Sequence, residues 1–295
     1  GLLVRRVDAH DGRRAVRRHV LDGAEIANAD GAAIDAQTAD DVAINLVAGS
    51  ENIVSDAASY ADDAAAKAAI HAESDLTISG EGSLSVSGNG NDGISSTDDL
   101  VVLSGAISVT AADDALRGKD SLVVEGGTLD LIATAGDGLA SDQEDDDTAG
   151  YVLVAGGSLS IESGDDAIQA ATDTIVTGGD IVASATDHAI QGGQILSIGG
   201  GSIAIDASNE GLQAISIGIF GGDIDITASD DGINAAGLNA GGTDRESDSG
   251  ERLEISGGSI TIDAGNDGLD SNGTITVSAG EVAITSAANG GDRAR

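Results

Sequence analysis

Hydrophobic and polar residues alternate one by one over many short stretches of this chain. Residues 84–86 (LSV), 107–109 (ISV), 159–161 (LSI) and 224–226 (IDI) are typical examples. A period of two predicts half-buried β-strands rather than helices. Glycine pairs such as residues 126–127 separate these stretches, and glycine supplies the positive φ that tight corners require. The pattern therefore predicts an all-β protein made of short strands and tight corners.

A four-residue signature recurs along the chain at a spacing of about twenty-two residues. It usually reads acid or amide, polar residue, Gly or Ala, and then Ile or Leu. Its aliphatic positions are Ile94, Leu116, Leu139, Ile168, Ile190, Leu212, Ile233 and Leu269, with degenerate copies ending at Ile34 and Ile70. The longer spacings contain insertions at residues 55–67, 143–147 and 238–251. Insertions that leave the core period intact are typical of a stacked repeat.

Each repeat is interpreted as three short strands, which in one copy are residues 116–119, 122–125 and 129–132. One such unit cannot bury its own core, but stacking units about 4.8 Å apart pairs every strand with the next coil. The sequence predicts a right-handed parallel β-helix of about ten coils, with about 22 residues per coil. The absence of proline agrees, because proline would remove a hydrogen bond from an internal coil.

The repeat also predicts the domain organisation. Residues 21–292 are expected to form a single β-helix domain. Residues 1–20 contain six arginines and two aspartates and are expected to be a poorly defined basic segment. Because this composition differs from the rest, a frayed terminus is favoured there over a basic arm that binds nucleic acid.

Charge and composition exclude several classes of function. The 295 residues carry a formal net charge of −38 and include no Cys, two Tyr and one Phe. Nucleic acid is a poor partner because an acidic surface repels phosphate. Cysteine nucleophiles and thiolate metal sites are absent from this sequence. No stretch approaches the roughly 20 apolar residues of a transmembrane helix, so no membrane span is predicted.

Stacking converts the acidic residue of each signature into a column of carboxylates. Carboxylates about 4.8 Å apart repel each other by roughly 1–4 kcal/mol, and Ca²⁺ offsets such repulsion by taking six to eight oxygen ligands. The densest run comprises Asp113, Asp114, Asp137, Asp165 and Asp166. The pairs Asp230–Asp231 and Asn266–Asp267 are a second candidate. Alternatively, Asp and Asn occupy these corners because their side chains cap turns. Salt adaptation or plain solubility also accounts for some of the acidity.

The first strand of each coil carries polar residues at its outward positions, among them Gln169, Gln191 and Gln213. Such a strip suits hydrogen bonds to sugar hydroxyls, although an ordinary solvated strand face has the same pattern. Arg117 and Lys119 also lie there and are the only Lys or Arg between residues 68 and 244. They are interpreted as a recognition site for a uronate carboxylate, as the base of a lyase, or as local ion pairs.

The chain also resembles bacterial secreted carbohydrate-binding domain-containing proteins. The resemblance is carried by residues 113–120 (DDALRGKD), 136–142 (GDGLASD), 150–152 (GYV), 230–235 and 268–273, and it covers roughly residues 20–292. It implies a pectate-lyase-like parallel β-helix that binds calcium and plant polysaccharide, polygalacturonate especially. By this resemblance, calcium ligation falls on Asp113, Asp114, Asp137, Asp142, Asp165 and Asp166, and more weakly on Asp230 and Asp231.

Three functions remain open at this point. The first is calcium-dependent, non-catalytic binding of an acidic polysaccharide by a secreted or cell-surface protein. The second is a calcium-dependent lyase, for which only Arg117 and Lys119 qualify as the base. The third is a structural or adhesive rod that requires neither calcium nor sugar.

Overall fold

The short alternating stretches form β-strands throughout the computed structural model, which describes residues 4–10, 15–237 and 250–286. These residues contain 31 strands and no α-helix. Within them, no helix is long and apolar enough to cross a membrane. Successive coils contribute strands to three parallel ladders, which we call faces 1, 2 and 3.

Face 1 is a ten-stranded parallel sheet. Its strands are β4 (Ile34–Ala36), β7 (Ala68–Ala72), β10 (Asp92–Ser96), β13 (Leu116–Gly118), β16 (Leu139–Ser141), β19 (Ile168–Ala170), β22 (His188–Gly192), β25 (Glu210–Ala214), β28 (Ile233–Ala235) and β30 (Leu269–Ser271). Face 2 contains β2 (Ala15–Leu21), β5 (Asp41–Leu46), β8 (Asp75–Gly80), β11 (Asp99–Val102), β14 (Ser121–Val124), β17 (Tyr151–Val154), β20 (Asp173–Val176), β23 (Ile195–Ile198) and β26 (Ser216–Ile219).

Face 3 follows face 2 in every coil. Its strands are β3 (Glu25–Ala27), β6 (Glu51–Ser55), β9 (Ser83–Gly88), β12 (Ala106–Ala111), β15 (Thr128–Ala133), β18 (Ser158–Ser163), β21 (Asp180–Ser184), β24 (Ser202–Ala207) and β27 (Asp223–Ala228). The long strands β29 (Arg252–Ala264) and β31 (Thr274–Ser286) run through faces 2 and 3. Strand β1 (Val4–His10) pairs with β2 in an antiparallel manner.

The predicted parallel β-helix of about ten coils is confirmed. In the coil used above as the example, the observed strands are β13, β14 and β15, each within one residue of the predicted bounds. The insertion at residues 143–147 lies at the corner between β16 and β17, and the one at residues 55–67 follows β6. Most of the third insertion, residues 238–249, lies outside the described residues.

The core is built from aliphatic side chains that stack from coil to coil. Leu100, Leu122 and Val152 occupy equivalent positions on β11, β14 and β17, and each is completely buried. Thr174 continues this ladder and is also buried, because its hydroxyl donates a hydrogen bond to the Gln191 carbonyl (2.6 Å). Burial of a polar group is tolerated where it is paired in this way.

The corner between faces 2 and 3 depends on glycine. Gly127 has a φ of 100°. A Cβ atom there would also lie 2.8 Å from the Gly105 carbonyl oxygen of the preceding coil. Conformation and close approach of the coils therefore both require glycine at this position, as the glycine pairs in the sequence predict.

The predicted boundary near residue 20 falls within the first ladder. Strand β2, which spans residues 15–21, pairs in parallel with β5 from Val16 to Leu21. The division into a basic segment and a β-helix domain stays a prediction. A boundary at residue 20 would fall inside strand β2, which is paired with β5.

We expect Leu122→Ala to lower the free energy of unfolding by about 2–5 kcal/mol, because it opens a cavity in the aliphatic ladder. The matched control is Leu103→Ala on the exposed surface, for which we expect a change within about 0.5 kcal/mol. Urea denaturation followed by far-ultraviolet circular dichroism measures both. Equal effects of the two substitutions would contradict the stacked core.

Candidate functional site

The acidic residues of the signature form a continuous row at the corner that leads into face 1. We call this row the acid column; it consists of Asp92, Asp114, Asp137, Asp166, His188, Glu210, Asp231 and Asp267. The Asp137 amide donates to Asp114 Oδ1 (2.8 Å), and the Asp166 amide donates to Asp137 Oδ1 (2.9 Å). The His188 amide donates to Asp166 Oδ1 (2.8 Å). Equivalent residues therefore lie on successive coils, and one carboxylate oxygen of each of these aspartates caps the next coil.

Five of the predicted metal ligands are brought together at this corner. Ligand oxygens of Asp137, Asp165 and Asp166 all lie within 4.8 Å of one another. Asp113 and Asp114 of the preceding coil also lie close by. A Cβ atom placed on Gly136, the residue before Asp137, would be 2.6 Å from Asp113 Oδ1 and 2.4 Å from Asp114 Oδ1. A donor set made only of carboxylate oxygens on turns suits a hard divalent cation such as Ca²⁺.

Burial makes this cluster of carboxylates costly to ionise. Burial, reinforced by the charge of Asp114, raises the pKa of Asp137 to about 8. Burial likewise raises the pKa of Asp92 to about 8 and that of Asp114 to about 6. Near neutral pH, Asp92 and Asp137 therefore hold a proton unless a cation lies nearby.

Asp142 is not one of the three residues whose ligand atoms converge at Asp137, although its charge helps to raise the pKa of Asp114. It forms an ion pair with the guanidinium group of Arg117, one coil earlier. The resemblance implies Asp142 as a calcium ligand, and this stays a prediction; without an ion, its carboxylate pairs with Arg117. Lys119 is half-buried near the same end of face 1, and its backbone amide donates to the Ser96 carbonyl (3.1 Å).

Asp231 and its neighbour Asp230 repeat the corner geometry farther along the column. The Asp267 amide donates to Asp231 Oδ1 (2.9 Å). Burial, with the charge of Asp230 adding to it, raises the pKa of Asp231 to about 6. This pair is a weaker candidate for a metal site, because no third carboxylate oxygen of the described residues joins it within the distance found at Asp137.

The outward side chains of face 1 are largely buried. The strip is therefore not the ordinary solvated strand face that the sequence also allowed. Gln191 and Gln213 are only 8% exposed, and Gln191 Nε2 lies 3.5 Å from Gln213 Oε1, while Gln169 is half-buried. The strands of face 1 have only three to five residues, so residues from the flanking corners reach over them. Contacts of Arg117 with Asp142 and of Asn234 with Glu210 illustrate this packing.

Two buried polar residues of the same strip were not singled out from the sequence. His71 is 5% exposed, and neither ring nitrogen has a hydrogen-bond partner among the described residues. Burial lowers the pKa of His71, so its ring is neutral near pH 7. Asn234 Oδ1 is also buried without such a partner. Both residues belong to the outward row of face 1. What distinguishes them from the other residues of that row is burial without a hydrogen-bond partner, which the sequence pattern does not show.

Comparison with known proteins agrees with this architecture. Residues 6–236 match the model of a family described as carbohydrate-binding domain-containing protein. A solved structure described as the polysaccharide lyase-like protein from C. thermocellum, as a gadolinium derivative, is 31% identical with a TM-score of 0.56. The match covers 66% of this chain and 75% of that one. No curated protein matches. The chain belongs to the family of carbohydrate-binding domain-containing proteins.

Proposed function

We propose that this protein binds an acidic polysaccharide such as polygalacturonate without cleaving it, and that Ca²⁺ joins carboxylates of the protein to those of the sugar. The observation that carries the proposal is the convergence of Asp137, Asp165 and Asp166 within 4.8 Å. Asp113 and Asp114 add two further carboxylates on the adjacent coil. The site of action is outside the cell or on its surface, where pectin is found.

Electrostatics makes a bridging cation necessary. A protein with a formal charge of −38 repels a polyanion unless positive charge lies between them. Ca²⁺ takes six to eight oxygen ligands, so carboxylates of protein and sugar can share one ion.

The recessed strip of face 1 supplies the contacts with the sugar. It runs alongside the acid column and carries Arg117, Lys119, Gln169, Gln191 and Gln213. Arg117 has N–H groups beyond those that meet Asp142 and can offer them to a uronate carboxylate, and the half-buried Gln169 can offer its amide to a hydroxyl group. Gln191 and Gln213 are 8% exposed, so neighbouring side chains would have to move before a sugar reaches their amides. A chain of acidic sugars lying along the strip would therefore contact both the basic residues and the calcium ions at the corner.

A lyase is the second candidate, because the solved relative is described as polysaccharide lyase-like. β-Elimination needs a neutral base beside a bound uronate. The ion pair with Asp142 keeps Arg117 protonated, which leaves Lys119 as the remaining base from the sequence analysis. A structural rod, the third function considered above, would use neither the basic residues nor the carboxylate cluster.

We expect Asp137→Asn to weaken Ca²⁺ binding by at least about tenfold, because it removes a charged ligand from the centre of the cluster. Asp130→Asn, which changes an exposed aspartate on β15, makes the same change of charge and should leave the affinity unaltered. Isothermal titration calorimetry measures both. Retention on immobilised calcium pectate should fall with Asp137→Asn and in EDTA. Retention that survives EDTA would contradict the proposed calcium bridge.

We expect the cation-free protein to lose thermal stability as the pH rises from about 5 to 8. The pKa values of Asp137 and Asp92 are raised from 3.8 to about 8 in the folded state, so the folded protein holds protons that the unfolded chain releases. Their stabilising effect is complete below about pH 4 and is lost by about pH 8.

Added Ca²⁺ should therefore raise the melting temperature more at pH 8 than at pH 5. Differential scanning calorimetry in a chelator and in Ca²⁺ tests this. The charges that face Asp137 are those of Asp114, Asp165 and Asp166, so Asp137→Asn should flatten the pH dependence in chelator. A melting temperature in chelator that rises from pH 5 to 8 would contradict the assignment.

We expect no unsaturated uronate product when the protein is incubated with polygalacturonate and Ca²⁺. Such a product absorbs in the ultraviolet, and a continuous absorbance assay over many hours detects it. Lys119→Ala serves as the control if absorbance does increase. An increase that this substitution abolishes would replace the binding proposal with the lyase.

A further inference from the structure

We propose a second cation site in this protein, formed by His188, Asp166 and Asp187, which takes a transition-metal ion of the Zn²⁺ type. His188 stands in the acid column at a position where the preceding coils carry an aspartate. The site is adjacent to the proposed calcium cluster, because Asp166 belongs to both groups. It extends beyond the proposed polysaccharide binding, since its donor set and its metal differ.

The ligand atoms are spaced as they are around a small metal ion. His188 Nδ1 lies 3.0 Å from Asp166 Oδ1 and 3.6 Å from Asp187 Oδ2. The ligand atoms of these three residues all lie within 4.8 Å of one another. Bonds of about 2.0–2.2 Å in a tetrahedral arrangement separate neighbouring ligand atoms by about 3.3–3.6 Å. Movement of the exposed Asp187 side chain would therefore allow one ion to lie between all three.

His188 Nδ1 is surrounded by polar atoms. It lies within hydrogen-bond distance of Asp166 Oδ1 (3.0 Å) and of the Gln191 amide (3.2 Å), and Asp187 Oδ2 is 3.6 Å away. Either the nitrogen or the oxygen of the Gln191 amide can face the ring, because a rotation of the amide exchanges them. A metal bound to the unprotonated Nδ1 would satisfy both carboxylates, and rotation of the Gln191 amide would then present its oxygen to the ion.

The other side of the imidazole ring is supported in the way that ligating histidines usually are. His188 Nε2 lies 3.8 Å from Glu210 Oε2, and Asn234 Nδ2 donates to the same carboxylate oxygen (3.1 Å). A carboxylate behind a ligating histidine fixes its orientation and strengthens its basicity. Glu210 is thus a positioning residue.

Asn234 forms the outer end of this support. It is nine-tenths buried, and its amide nitrogen donates to the same Glu210 carboxylate oxygen that faces His188 Nε2. This contact holds Glu210 in place on the side of the ring away from the proposed ion.

Burial and donor chemistry favour a transition metal over Ca²⁺ at this position. His188 and Asp166 are 12% and 6% exposed, whereas Asp187 is 48% exposed, so the site is largely enclosed but open on one side for entry. Imidazole nitrogen is a preferred ligand of Zn²⁺, Ni²⁺ and Cu²⁺, while Ca²⁺ is bound by oxygen ligands.

Titration of the chelator-treated full-length protein with Zn²⁺ tests this proposal, with His188→Asp as the main variant. The variant restores an aspartate to the column and removes only the nitrogen ligand. We expect Zn²⁺ affinity to fall by at least about tenfold in His188→Asp and Asp187→Asn, and to be unchanged in Asp206→Asn, an exposed aspartate on β24. Ca²⁺ affinity should be retained in His188→Asp.

Two further measurements separate metal binding from a structural role of the histidine. In ¹⁵N-labelled protein, Zn²⁺ should shift the Nδ1 resonance of His188, and Co²⁺ should give the visible absorption of a nitrogen-containing site. Glu210→Gln should weaken Zn²⁺ binding without changing the folded circular dichroism spectrum. Equal Zn²⁺ affinity in wild type and His188→Asp would overturn the proposal, as would equally effective displacement of Zn²⁺ by Ca²⁺. If Asp137→Asn loses Ca²⁺ binding and retains Zn²⁺ binding, the result supports two separate sites.

Discussion

Backbone pairing between successive coils is the constraint on which the rest of this structure depends. Parallel hydrogen bonding fixes the register, so Ile94, Leu116 and Leu139 come to lie one above another. The same register that stacks aliphatic side chains inside the coil necessarily stacks carboxylates at its corner. One arrangement therefore has two consequences. It builds a favourable aliphatic core, and it places carboxylates in an unfavourable row at the corner.

In the acid column, the two oxygens of one carboxylate can have different roles. In Asp114 and Asp137, one oxygen accepts the backbone amide of the next coil, which satisfies a donor that the ladder leaves unpaired. The remaining oxygen atoms are available to neighbours or to a cation. Turn capping and metal binding, which are alternatives when only the sequence is considered, are thus compatible roles of the same side chain, and a cation would relieve repulsion without displacing the caps.

The coil period, the strand positions and the identity of the buried aliphatic residues could be predicted from the sequence, because all three follow from a strict alternation and a repeat. The pairing of Arg117 with Asp142 and the burial of Gln191 could not. The ion pair joins non-equivalent positions on different coils, and the burial of Gln191 depends on how far neighbouring side chains reach over short strands. His71 is the clearest case, since its position was known from the repeat but its unpartnered burial was not.

A ladder of equivalent positions also allows the chemistry to change one coil at a time. The backbone amide of His188 still donates a hydrogen bond to Asp166, as the equivalent amides do in the preceding coils. Its side chain, however, places an imidazole nitrogen in a row of carboxylate oxygens. The fold tolerates the exchange because the register is held by backbone hydrogen bonds rather than by the column side chains. If both proposed sites bind metal, adjacent corners of one β-helix would therefore prefer different cations, with Asp166 belonging to both.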